Sequence, residues 1–241
     1  DKDSLQSIHW AVLNGNVDLV NLLLSQGADV NARFKDGSSV LHLAVRNKYT
    51  AVVDILLKSK AYANIQSSNG TTPLHIAAQD GHGMIAFLLI AHHAEFDIRD
   101  NDGFTPLDRA ISGGQLLLVS LLIKVGARLD SQINYFGIWG TGLHLAAMNG
   151  HADVVACLIG AGVPVSSTDG AGRYPLHYAA MGGHADVVGM LLSAGARPLD
   201  QDLFQTSALY YAFRAGHDCI VSMFLAHLAG TAVDGEKSPS K

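Results

Sequence analysis

The sequence predicts an all-α repeat fold in which each unit is a pair of short helices, and three observations predict it. First, one tetrad recurs: Ile8-His9-Trp10-Ala11, Leu41-His42-Leu43-Ala44, Leu74-His75-Ile76-Ala77, Leu107-Asp108-Arg109-Ala110, Leu143-His144-Leu145-Ala146, Leu176-His177-Tyr178-Ala179 and Leu209-Tyr210-Tyr211-Ala212. Its second residues are separated by 33, 33, 33, 36, 33 and 33 positions, and a fixed period of that size marks a repeat architecture. Second, each copy carries start, turn and stop signals for two helices. Third, apolar residues make up 49% of the 241 and charged residues 15%, ample for a core, while no apolar stretch approaches the ~20 residues a membrane helix needs.

Each copy opens with a helix start. Thr72-Pro73, Thr105-Pro106 and Tyr174-Pro175 place Pro at the first helical position, where its missing donor is not needed, and Thr can accept from the free N–H groups of the first turn. About nine residues on comes a glycine with a polar neighbour, as in Gly15-Asn16, Gly81-His82, Gly150-His151, Gly183-His184 and Gly216-His217. That pattern stops the first helix and turns the chain. A second helix follows with one apolar face, for example Val154, Val155, Leu158 and Ile159. It ends at Gly27, Gly126, Gly162 or Gly195, where a left-handed residue satisfies the last carbonyls. Asp36-Gly37, Asn69-Gly70, Asp102-Gly103 and Ala171-Gly172 then make a hairpin turn before the next copy.

With these residues in place, residues 4 to 229 closely resemble the ankyrin repeat family. The resemblance implies an all-α solenoid of stacked ankyrin helix–turn–helix repeats with β-hairpin fingers, in which helix pairs bury their apolar faces against their neighbours. At about 10 Å between helix pairs, seven repeats are expected to form an elongated, curved body. The expected repeats are 1–33, 34–66, 67–99, 100–135, 136–168, 169–201 and 202–229, with a flexible tail or linker over 230–241.

The longer step falls at residues 131–140, which contain Ile133, Tyr135, Phe136, Ile138 and Trp139. Two readings stay open for this aromatic finger: its rings fold over the adjacent helices, or they meet a partner. Lys48 stands where most copies have the inter-helix glycine and suggests a slightly altered turn. Neither end of the array is clearly polar: Leu5, Ile8, Trp10 and Leu19 lie in the first copy, and Ile220, Val221, Phe224 and Leu225 in the last. With no starting Met and no signal sequence, the chain is expected to be a fragment of a larger protein that supplies further repeats or a packing segment.

Chemistry is not expected. Sixteen Lys and Arg against 21 Asp and Glu give a net charge of −5 with no basic run, which argues against nucleic acid as a partner. Cys157 and Cys219 form neither a disulfide framework nor a metal motif and fit a reducing, cytoplasmic setting. Of the twelve histidines, most recur at the tetrad or the turn. Equivalent copies stand about 10 Å apart, so they cannot converge on an ion whose ligands lie ~2 Å from it. The resemblance implies instead that each tetrad histidine ties its helix to the neighbouring finger. Gly81-His82-Gly83-Met84-Ile85-Ala86 imitates a dinucleotide fingerprint but follows a helix rather than a strand. No catalytic, cofactor-binding or metal residue is therefore assigned.

The resemblance implies a non-catalytic protein–protein interaction module. Its protein or peptide partner would occupy the concave groove of finger tips and first helices, without direct membrane insertion. The positions that fall there are Arg33, Arg46, Asn47, Gln79, Asp80, Arg99, Phe104, Tyr135, Phe136, Trp139, Met148, Asn149, Arg173, Met181, Phe204 and Arg214. The N-terminal half offers arginines for acidic groups, and the C-terminal half offers an apolar anchor. The alternative is a structural spacer with no groove ligand. The family also permits asparaginyl hydroxylation at Asn31 and Asn64, although such an Asn mainly holds a turn.

Overall fold

The computed structural model describes residues 6–130, 132–135 and 138–235. Among them, helices occur in consecutive pairs, short first and longer second: α1 Ser7–Leu13 with α2 Val17–Ser25, α3 Val40–Arg46 with α4 Thr50–Lys58, α5 Pro73–Gln79 with α6 Gly83–Ala91, and α7 Pro106–Ser112 with α8 Leu116–Lys124. The series continues with α9 Gly142–Asn149 and α10 Ala152–Gly160, α11 Pro175–Gly182 and α12 Ala185–Ser193, and α13 Ala208–Ala215 and α14 Asp218–Gly235. The chain divides into two compact units, Asp1–Arg128 and Leu129–Lys241, so the division falls beside the 36-residue step.

In the first unit, α1, α3, α5 and α7 pack in order, as do α2, α4, α6 and α8; in the second, α9–α11–α13 and α10–α12–α14 do the same. Helices of seven to nine residues are too short to hold by propensity alone. They hold because each buries the tetrad leucine (Leu41, Leu74, Leu107, Leu143, Leu176) and the alanine two places past the tetrad histidine against the neighbouring pair.

The hairpin fingers are mostly turns rather than strands. The long finger forms a true pair, β1 Ile133–Tyr135 antiparallel to β2 Ile138–Gly140, with Ile133 opposite Gly140. The other fingers show at most single bridges, Arg33 to Ser39 and Gln201 to Ser207. Three extra residues give the long finger room for a ladder; each shorter one closes with a backbone bond across its turn, such as Asp100 N–H to the Phe104 carbonyl and Asp202 N–H to the Thr206 carbonyl, helped by side chains.

Three places differ from expectation. Lys48 does not alter its turn: it takes the same left-handed conformation, φ 61°, that Gly15 and Gly81 take in theirs. Lys60 and His93 likewise stand left-handed at the stop position that Gly27, Gly126, Gly162 and Gly195 fill elsewhere. In the last repeat that stop position is Leu228, inside α14. With no left-handed residue there to end it, the helix runs on to Gly235, through the first half of the expected tail. The remainder, 236–241, lies outside the described residues.

Candidate protein-binding surface

The recurring polar residues form ladders that cross from one repeat to the next, and these decide which side chains remain for a partner. At the start of α3 the Ser39 N–H donates to Nδ1 of His42 (3.0 Å). The proton of this neutral imidazole therefore sits on Nε2, which donates to the Thr71 carbonyl at 2.9 Å. The same two-ended bond recurs as His75 to Phe104, His144 to Arg173 and His177 to Thr206, always 29 residues apart. Burial pushes the pKa of all four histidines down, against the partly opposing pull of the carbonyl bond. His9 departs from the pattern. Its buried Nε2 has no hydrogen-bond partner, and the Phe34 ring packs edge-on against the imidazole with ring centroids 4.4 Å apart.

A second ladder was not foreseen. Tyr49, Gln115, His184 and His217 occupy equivalent positions in the inter-helix turns. Each reaches a carbonyl 36 residues earlier, that of Leu13, Gln79, Met148 and Met181 respectively. The signal was present as a polar residue repeating at the turn. His82 holds that position without the bond: its Nε2 is buried and unpartnered, with a carboxylate oxygen of Asp80 3.9 Å away.

The finger turns are held by buried aspartates, also missed although Asp100, Asp169 and Asp202 recur in register. Asp202 accepts from the N–H groups of Phe204 (2.9 Å) and Thr206 (3.0 Å) and from the Tyr211 hydroxyl (2.7 Å). Burial alone would raise its pKa, but these donations together carry it below the ordinary carboxylate value. Asp169 is bound alike by Ala171 and Arg173 N–H and by the Tyr178 hydroxyl. Burial, then the bond to Asp169, pushes the Tyr178 pKa up to about 12. In the third finger the partner nine residues on is Arg109, whose guanidinium grips Asp100.

Several expected binding residues belong to this scaffold. Arg33 braces its finger by donating to the Gly37 and Gln66 carbonyls, and Arg99 donates to Gly103. Phe104 corrects an expectation: it is 6% exposed, beneath the Arg109 guanidinium at 4.5 Å, so its ring cannot serve as a surface anchor. Arg173 is half-buried among Tyr178, Phe204 and Asp202, with its Nε 3.6 Å from the Asp202 carboxylate. Asn31 accepts from the Tyr62 N–H, and Asn64 accepts from the Glu95 N–H while donating to its carboxylate. Both amides thus bridge neighbouring repeats, 31 residues apart.

What remains differs between the units. In the first, Arg46 and Asp80 are exposed at the end of their first helices, with Asn47 and Gln79 half-buried beside them. In the second, Met148, Asn149 and Met181 are half-buried, Arg214 is exposed, and Phe204 stands 67% exposed at a finger tip. Leu203 beside it is 72% exposed and was not anticipated. In the aromatic finger Ile133 is buried. Phe136 and the side chains of Tyr135 and Trp139 lie outside the described residues.

Among the described residues no group of three or more His, Cys, Asp or Glu is arranged to hold a metal, and no helix is long and apolar enough to cross a membrane. The chain is similar to the crystal structure of the human ASB11 ankyrin repeat domain, with TM-score 0.76 and 25% identity over 86% of this chain and 91% of that one. It is equally similar to the ankyrin repeat domain of Bcl-3, described as a unique member of the IkappaB protein family, with TM-score 0.75 and 25% identity over 87% and 95%. No curated protein sequence matches it. The family description "Ankyrin repeats (3 copies)" matches residues 1–67, 41–133 and 143–234. With its ladders, its paired helices and these matches in agreement, the chain belongs to the ankyrin repeat family.

Proposed function

We propose that the chain is a non-catalytic protein-binding module whose partner contacts the finger-tip and first-helix side of the second unit, with Phe204 as anchor. Ankyrin repeats are in general protein–protein interaction modules. The observation that carries the finer reading is the Leu203–Phe204 tip. Two large apolar side chains are more than two-thirds exposed on a turn that Asp202 holds rigid through the Phe204 and Thr206 N–H groups. Rigid, exposed aromatics cost little ordering entropy on binding and dominate interface energies. Met181, half-buried at the end of α11, and the exposed Arg214 on α13 suit a segment carrying one apolar side chain and one carboxylate.

The test uses a displayed peptide library selected on the purified chain. Selected peptides should lose at least 10-fold in affinity for the Leu203→Ala, Phe204→Ala double variant, whose melting should be nearly unchanged. Leu117→Ala, on the 83%-exposed position of α8, should have no effect. Peptides that bind the double variant undiminished would refute the anchor.

A further inference from the structure

Just ahead of its fingers, the first unit ties each loop to the next through a side-chain oxygen. The carboxamide oxygens of Asn31 and Asn64 accept from the Tyr62 and Glu95 N–H groups at 2.8 Å, and an Asp97 carboxylate oxygen accepts from the Arg128 N–H at 3.2 Å. Asn64 also uses its nitrogen, which donates to the His93 carbonyl and the Glu95 carboxylate. One carboxamide thus joins a backbone carbonyl to the N–H two residues on.

The second unit keeps the two backbone groups and loses the carboxamide. In register, the receiving position after Arg128 is Pro164, which has no N–H, and then Arg197. Ser166 faces it in the series where Asn64 faces Glu95, and its hydroxyl ends one bond earlier than an asparagine oxygen. Among the described residues neither the Arg197 N–H nor the Gly195 carbonyl has a hydrogen-bond partner. The loop itself is unchanged. Gly195 is left-handed (φ 91°) as His93 is (φ 64°), and Ala196 N–H meets Leu191 as Ala94 N–H meets Leu89, each at 2.9 Å.

The vacated place is a cavity of about 290 Å³. Val165, Leu176 and Ala196 give it apolar walls. Tyr174, in the place of Thr72 and Thr105, stacks on His177 and adds an aromatic one. Asp200, at the position of Ile98, brings a carboxylate to the lining. A carboxylate ligand would satisfy the Arg197 N–H but face the Gly195 carbonyl and Asp200. An ammonium would satisfy those acceptors and leave the N–H bare. A primary carboxamide has both an acceptor and two donors.

We propose that this cavity binds a primary carboxamide on a small apolar stem. Its oxygen accepts from the Arg197 N–H and its nitrogen donates to the Gly195 carbonyl, as the Asn64 side chain does between Glu95 and His93. A glutamine side chain of a bound protein and a small aromatic amide share that chemistry.

Amide chemical shifts of the whole 15N-labelled chain, titrated with benzamide, benzoate or benzylamine, test this. Benzamide should move the Arg197 amide and bind at least 10-fold more tightly than the other two. Ser166→Asn supplies the carboxamide from within and should weaken benzamide at least 10-fold, with a melting temperature no lower than wild type. Arg197→Pro removes the donor from a backbone that Pro164 shows to accept proline, and should weaken it equally. Arg197→Gln, which keeps the N–H and loses the guanidinium, should bind as wild type does. Acetyl-Ala-Gln-Ala N-methylamide, set against its Glu counterpart, separates the sources. Saturable binding of the Gln peptide assigns the ligand to a protein segment, and binding of benzamide alone assigns it to a small molecule. An unmoved Arg197 amide, benzoate binding as tight as benzamide, undiminished binding to Ser166→Asn, or equal losses in both Arg197 variants would overturn the proposal.

Discussion

The two units use the same repeat grammar but close their fingers and turns by different means. In the first unit the corresponding finger positions are Phe34, Ser67 and Asp100, and asparagines bridge successive loops (Asn31 to Tyr62, Asn64 to Glu95). In the second, Asp169 and Asp202 are each gripped by a tyrosine nine residues on, and the asparagine position becomes Ser166 and Leu199. The first unit also holds Lys48, Lys60 and His93 in left-handed backbone, whereas the second uses Gly150, Gly162, Gly183, Gly195 and Gly216 at the corresponding positions. The difference teaches that the helix pairs are fixed by burial, while turns and fingers tolerate several solutions of unequal strength.

The largest effect should come from removing a finger aspartate. Asp202→Ala leaves two N–H groups and a tyrosine hydroxyl without their acceptor and should cost the second unit about 2–4 kcal/mol in urea unfolding. Ser67→Ala, at the same position in the first unit, removes exposed or partly buried bonds to Asn69 and Thr71 and should cost under about 1 kcal/mol. Equal losses would mean that the aspartate finger is no stronger than the serine one.

Acid should act on both units alike. Folding lowers the pKa of His42, His75, His144 and His177. Between the folded and unfolded values the unfolded chain therefore binds more protons, and stability rises with pH. The contribution is complete above the unfolded histidine value of about 6.5 and is lost as pH falls through the depressed folded values. Urea midpoints measured from pH 8 to pH 5 should fall on the acid side in wild type, and less so in His42→Gln, His144→Gln. A midpoint that does not change over this range would break the two-ended histidine assignment.

The smallest effect should sharpen the comparison. Lys48→Gly, Lys60→Gly and His93→Gly each relieve a left-handed residue with a side chain, a conformation costing roughly 1–2 kcal/mol, against the entropy glycine loses on folding. Each should stabilise the first unit by about 0.5–1 kcal/mol. In Gln205→Gly, the comparable site of the second unit, the gain should be similar.

The helices were legible because their signals are local. Thr72-Pro73 and the glycine turns sit within a few residues of what they specify, and the tetrad His42 could be tied to a finger by family resemblance. The buried aspartates were legible as a period but not as a function, since their partners Tyr178 and Tyr211 vary in type from repeat to repeat. Phe104 was misplaced because offset alone does not show that Arg109 lies over its ring. The run of α14 past residue 229 could have been read from Leu228 at the glycine stop.

The rungs between repeats span 29 to 36 residues, the histidine bonds 29, the asparagine bonds 31 and the turn bonds 36, and each joins one repeat to the next. Excising residues 67–99 from the first unit would therefore bring the Phe104 carbonyl to His42, as it now stands before His75, and the Arg128 N–H to Asn64, as it now meets Asp97. Every severed connection finds a substitute in register. Deleting 30 or 36 residues from the same place would strand each donor beside the wrong acceptor. Within the run of 33-residue copies the molecule can thus be shortened or lengthened only in whole beats, while the longer finger at 131–140 takes up three extra residues.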